Sequence, residues 1–333
     1  MKIRSSSPGK LVVLGEYAVL SGAEALVLAV DRRCEVTLER SAAAQCVIET
    51  CAPEWCTCAF AAGERSGLAL VDTVLDTRAG PDRRTAFRAV LDSRRFFADG
   101  RRKLGIGSSA AVLVAFAGAM QAFDNQKIRR PDLDWLIRLH RHLQDGRGSG
   151  IDVAAALLGG LHTFRLDRAG DAAVGSVQLP NSVGFAGIFA GQSARTADFV
   201  GRFDDWRRRE PDRAAPLLAE LAAVSSAGCD AVRANDADGF LAAIGAYGVL
   251  LESLGIALDC DVLTREHRQI GALAQRFDVR YKTSGAGGGD LGIAFSQDAA
   301  ALAALRNAVT AQGFLWVEFG VDAHGLRVEE LSE

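Results

Sequence analysis

The chain has 333 residues, enough for about two domains with a core in each. Apolar residues make up 49% and charged residues 24%, the balance of an ordinary globular protein, and a net charge of −3 supplies no basic field for nucleic acid. Residues 1–8 lack the apolar centre of a signal peptide, and the longest apolar runs are interrupted by Gly or charge, so the sequence reads as cytoplasmic and without a membrane segment.

In chain order, Ser7, Pro8, Gly9 and Lys10 lead into the apolar run Leu11 to Leu14, a short buried strand with Gly9 and Gly15 at its ends. Val27 to Glu39 is a second strand, with Val30, Cys34, Val36 and Leu38 on one parity. Cys46 to Phe60 reads as an edge region of short strands, Leu68 to Leu75 as a helix and Arg84 to Leu91 as a strand. Pro131 to Gln144 carries leucines at helical spacing, with Asp132 and Asp134 early and Arg138, Arg141 and His142 late, as a helix dipole prefers. Its histidines read as C-terminal helix charges in preference to catalytic groups. Pro180 to Ser182 marks a domain boundary, dividing the chain into 1–180 and 181–333. Beyond it come a strand (Val183 to Ala190) and a mostly helical stretch from Asp198 to Leu254, broken at Pro211 and Asn235. A helix (Leu263 to Phe277), a strand (Leu291 to Phe295), a helix (Gln297 to Gln312) and closing strands at Phe314 to Phe319 and Leu326 to Val328 complete the chain.

Seven cysteines, an odd number, argue against a disulfide framework. Cys46, Cys51, Cys56 and Cys58 cluster, but without a C-x-x-C pair or a nearby His, which favours free thiols over a zinc site. Only five of the 38 basic residues are lysines, and three of them, Lys10, Lys103 and Lys282, stand in glycine-rich stretches. An ammonium is a compact point charge where guanidinium is a planar fork, so these positions are either ones a fork would not serve or a chance placing of five residues.

Three glycine-rich stretches carry the chemistry. In Lys103 to Met120, Gly105, Gly107, Ser108 and Ser109 precede an Ala/Val-rich helix. Small residues there let backbone N–H groups crowd around an anion at a helix N-terminus, although the same residues also suit an ordinary turn with a serine N-cap. A Walker A loop is excluded because Ser108 stands where its Lys belongs. The dinucleotide fingerprint Gly105-x-Gly107-x-x-Ala110 follows a charged turn where that motif requires a strand. Asp145 to Asp152 is a second glycine turn feeding a helix, with Asp152 at the helix start. Thr283 to Asp290 is the most glycine-dense stretch, and four glycines in five positions mark close approach to ligand or backbone.

Taken in order, Pro8 to Lys10 with Gly15 and Glu16, Leu104 to Ala111, and Ser284 to Gly289 resemble the three motifs of the GHMP kinase superfamily over nearly the whole chain. Gly15 to Leu20, Lys103 to Ser109, Gly148 to Asp152, Gly191 to Thr196 and Lys282 to Asp290 look most like its phosphomevalonate kinases, with Ile106 in place of a more usual Leu. The resemblance implies a two-domain fold, an N-terminal S5-like α/β domain joined to a ferredoxin-like α+β domain. ATP and a phosphorylated small-molecule acceptor would bind between them. It implies ATP contacts at Gly105, Gly107, Ser108, Ser109 and Ala110, with Ser109 also the Mg²⁺ ligand, and Lys10 and Asp152 facing the transferred phosphoryl group. Acceptor contacts are implied at Ser149, Gly150, Ser193, Ser284, Gly285 and Gly287. Lys103, Arg147 and Arg195 would supply cations to the acceptor or are surface charges. A mevalonate kinase and a non-catalytic ligand-sensing module are the alternatives, and a homodimer is left open. Lys10, Ser109 and Asp152 argue against the sensor, which has no chemical need of all three.

Overall fold

The computed structural model describes residues 1–78, 85–125, 127–167, 169–191 and 196–331. The first domain contains β1 (Lys2–Leu14), β2 (Ala25–Arg40), β3 (Gln45–Cys51), β4 (Trp55–Ala61), α1 (Ala69–Leu75), β5 (Phe87–Asp92), β6 (Phe97–Ala98) and β7 (Arg102–Lys103). It continues with α2 (Ser108–Asn125), α3 (Leu133–His142), α4 (Ile151–Leu158), β8 (Leu161–Leu166) and β9 (Ala172–Val177). In the second are β10 (Gly184–Phe189), α5 (Thr196–Arg209), α6 (Pro211–Arg233), α7 (Ala237–Ala257), α8 (Arg265–Arg276), β11 (Arg280–Thr283), β12 (Leu291–Ser296), α9 (Ala299–Ala311) and β13 (Leu315–Val317). β14 (Arg327–Leu331) closes the described chain.

β1 is far longer than its apolar run. Its N-terminal half is polar by composition, yet Ser5 and Ser7 point inward and are buried, and the Ser7 hydroxyl donates to Ala111 O at 2.7 Å. The ladder continues past Pro8 by a register shift at Pro8/Gly9, which accommodates a residue with no N–H to give. β2 is longer still and pairs in two halves, Ala25–Leu28 with β8 and Glu35–Arg40 with β5. The main path of the sheet runs β14-β1-β2-β5-β3-β4, antiparallel except for β3 against β5. α2 lies across β1 and β2 with α4 beside it, so the Ala-rich helix is the buried centre of the domain. Cys46 and Cys51 are buried on β3, whereas Cys56 on the edge strand β4 is exposed.

The second sheet has the order β11-β12-β10-β13 and is antiparallel throughout. With the helices between its strands, this is the βαββαβ arrangement of a ferredoxin-like domain. The boundary drawn at 180 does not hold to the end of the chain, because Arg327–Leu331 returns to pair with Lys2–Ser6 in the first sheet. One hydrophobic cluster runs through both domains, including Leu14, Leu221, Tyr247 and Phe295. The glycines read as interruptions of apolar runs lie inside continuous helix instead. A Cβ on Gly228 would fall 2.2 Å from Leu14, and one on Gly248 3.3 Å from Tyr281 O, so these glycines let α6 and α7 approach their neighbours. α6 and α7 are consequently long and apolar enough to cross a membrane by length and composition alone, and each packs one face into the protein.

Candidate active site

The three glycine-rich stretches meet at a crevice of about 450 Å³ between the domains. Lys10, near the C-terminal end of β1, donates its amide to Ile106 O at 2.8 Å, which pins the first stretch to β1. Gly107 is left-handed (φ 78°), and a Cβ there would lie 3.0 Å from Lys10 Cγ, so its bareness makes room for the lysine stem. The Lys10 ammonium makes one long contact, 3.5 Å to Gly105 O, and no ion pair among the described residues. α2 begins at Ser108, and Gly105, Gly107, Ser108 and Ser109 all line the crevice at its N-terminus. That is where unpaired N–H groups and the positive end of the helix dipole favour an anion. Ser109 and Lys103 are exposed to it. Ala110 is fully buried and does not line the crevice.

Asp152 enters from the first turn of α4, its side chain 23% exposed. One oxygen accepts the Val153 N–H at 3.0 Å and lies 3.8 Å from His140 Nδ1. His140 is therefore not a solvated helix charge. It is 2% exposed, inward-facing, and its Nε2 has no partner among the described residues. Ser149 lines the crevice and accepts the Ile151 N–H on its hydroxyl at 3.3 Å, in the turn that leads into α4. Gly150 supplies a left-handed turn (φ 85°) pressed against Ile137 and does not line the crevice. Arg147 points into a neighbouring charged cleft with Asp198 and Arg202. Ser193 and Arg195 lie outside the described residues.

From the second domain, Ser284, Gly285 and Gly287 form the opposite wall. The Ser284 hydroxyl is committed to strand β1, accepting from Val12 N at 3.0 Å and donating to Val12 O at 3.2 Å, so it holds the loop and is not free for an acceptor. A Cβ on Gly287 would fall 2.3 Å from Val262 O.

Four further residues hold the third stretch in place. Glu16 and Tyr17 grip the third stretch at both polarities: the Glu16 carboxylate accepts the Gly285 N–H at 3.3 Å, and the Tyr17 hydroxyl donates to Ala286 O at 2.5 Å. Lys282, fully buried, donates to Glu16 Oε1 and, at 2.6 Å, to Thr283 O. Burial raises the Glu16 carboxyl and lowers the Lys282 ammonium from their ordinary values, while their mutual attraction opposes both shifts. The rarity of lysine pointed to Lys282; nothing local pointed to its partner 266 residues away. The fourth, His267, braces the loop from beneath. Because Gly289 O can only accept, Nε2 (2.8 Å) carries the proton and Nδ1 accepts from the Tyr281 hydroxyl at 2.7 Å. Burial pushes the His267 imidazole below its usual value, matching that neutral form.

The family described as GHMP kinases N terminal domain matches residues 88–160, which run from β5 through α4. Mevalonate kinase from Aeropyrum pernix is 26% identical over 98% of each chain. Residues 88–160 are thus a GHMP kinase N-terminal domain. A phosphomevalonate kinase from a Streptomyces species is 34% identical over 49% of this chain and 50% of that one. In fold, the chain is similar to Streptococcus pneumoniae phosphomevalonate kinase in complex with phosphomevalonate and AMPPNP. The TM-score is 0.78 at 20% identity, covering 96% of this chain and 99% of that one. The two-domain architecture built above is the GHMP kinase fold.

Proposed function

We propose that the protein transfers the terminal phosphoryl group of ATP to phosphomevalonate, giving diphosphomevalonate. The observation that carries this reading is the pair of lysines, Lys10 and Lys103, lining one crevice at the N-terminus of α2 with no ion-pair partner among the described residues. Two unpaired cations beside a helix dipole suit two phosphates approaching one another. Phosphoryl transfer asks mainly for positioning and charge neutralisation. Lys10 offsets repulsion between donor and acceptor, and Lys103 holds the acceptor's charge.

A phosphate monoester is already largely a dianion at pH 7, its second pKa being about 6, so this acceptor needs no general base. Asp152, held by the Val153 N–H, then acts as an organiser of Lys10 or of the metal. The donor set fits Mg²⁺, a hard cation that takes few protein oxygens when phosphates supply the rest: the exposed Ser109 hydroxyl and the Asp152 carboxylate line the same crevice. Bound there, the ion would neutralise charge on the transferred group.

A mevalonate kinase is the second reading, favoured by the full-length likeness to the Aeropyrum pernix enzyme. Its alcohol acceptor has a proton to lose, which would make Asp152 a base. A side-by-side assay with ATP decides between them. Phosphomevalonate should be turned over and mevalonate hardly at all, since cations placed for the missing phosphate would be left unpaired. The reverse preference would overturn the phosphomevalonate assignment.

A further inference from the structure

Glu16 is 4% exposed and lines the crevice. Its two oxygens are treated unequally. Oε1 receives Lys282 Nζ and the Gly285 N–H, while Oε2 is buried with no hydrogen-bond partner among the described residues. A carboxylate in that state has unmet demand for a positive group. The crevice wall offers one: a Cβ on Gly285 would lie 3.8 Å from Lys10 Nζ, and the Lys10 charge is close enough to disfavour the charged form of Lys282. Two lysines thus stand near one buried carboxylate, one bound to it and the other left to the crevice.

We propose that Lys282 is a positioning residue that occupies Glu16 and so prevents this carboxylate from capturing the Lys10 ammonium, leaving Lys10 free for an incoming phosphate. The inference rests on Lys10 facing the phosphoryl group. Removing Lys282 leaves Glu16 a buried anion, and Lys10 is a cation without an ion pair among the described residues that lines the same crevice. A lysine paired with Glu16 is withdrawn from the anion it should meet. Removing the carboxylate's charge as well abolishes the trap.

The test uses Lys282→Met, Glu16→Gln and the double variant. It measures kcat together with the rate at which acetic anhydride labels Lys10, read by peptide mass spectrometry in a chain with only five lysines. In Lys282→Met, Lys10 labelling should slow severalfold and kcat fall at least about a hundredfold. Glu16→Gln/Lys282→Met should label Lys10 at the wild-type rate and recover at least about tenfold in kcat over Lys282→Met. A purely structural pair would leave Lys10 labelling unchanged in every variant, and that result overturns the proposal. If Lys282→Met does not fold, the double variant still decides: wild-type melting and labelling with kcat within about tenfold of wild type support the inference, and a hundredfold loss in a folded double variant overturns it. Labelling needs no substrate, so it stands whichever acceptor the enzyme prefers.

Discussion

Gly105 and Asp290 stand so close that a Cβ on the glycine would fall 2.4 Å from the Asp290 carboxylate and 2.6 Å from its Cβ. The second and third motifs, one from each domain, therefore touch through a glycine that has no room to be anything else. Gly105 is also left-handed (φ 72°). Gly105→Ala should cost about 1–2 kcal/mol of backbone strain and about 1–3 kcal/mol of overpacking. A lower denaturant midpoint at unchanged m, with a raised KM for ATP, is the expected result. A variant as stable as wild type would mean that the contact yields easily.

Lys10→Met should lower kcat at least about a hundredfold, roughly 2.7 kcal/mol of barrier. ATP affinity, measured by titration, should stay within severalfold, because the proposed reading assigns the nucleotide to Gly105 to Ser109 at the helix start. Near-normal turnover would remove Lys10 from the chemistry.

Ser109→Ala should leave the melting temperature almost unchanged, since the side chain is exposed in the first turn of α2 and the helix already begins at Ser108. Turnover should fall and the Mg²⁺ concentration for half-maximal rate should rise. A loss of about 1 kcal/mol in stability without a changed Mg²⁺ dependence would assign the hydroxyl to helix capping.

Acid should loosen the floor of the third motif. His267 is held neutral by burial, with an imidazole that takes a proton less readily folded than unfolded. The unfolded chain then binds more protons below its ordinary histidine value, so stability falls as pH drops from about 7 toward 5. Urea unfolding across that range should show the decline in the wild type and a smaller one in His267→Gln, whose amide can still donate to Gly289 O. Identical slopes would show that other groups carry the pH dependence; His162, also lowered by burial, is the first of them.

What the sequence disclosed was local. The three glycine stretches, the α4 start at Asp152 and the early acids of α3 follow from short-range rules; the structure adds that Asp132 caps α3, accepting the Trp135 N–H at 2.8 Å. β1 was mostly missed because Ser5 to Gly9 are turn-forming residues by propensity; pairing to strands on both sides overrides that preference. The inward turn of His140 depends on which face of α3 meets α4. The clamp of Glu16 and Lys282 joins residues that no window contains. Local chemistry thus named the motifs, and only their meeting showed which side chains are already engaged: Ser284 with Val12, Ser149 with Ile151, and Lys10 with nearly nothing.

The pairing of β14 with β1 bears on how the protein is made. Among the described residues Lys2–Ser6 receive an outer neighbour only from Arg327–Leu331, so the strand that carries Lys10 leaves the ribosome with one edge bare and keeps it bare until the second domain has been synthesised. An unpaired edge is a template for another chain. A fragment ending after β13 would hold every motif of the active site, and it should aggregate during expression where the full chain does not.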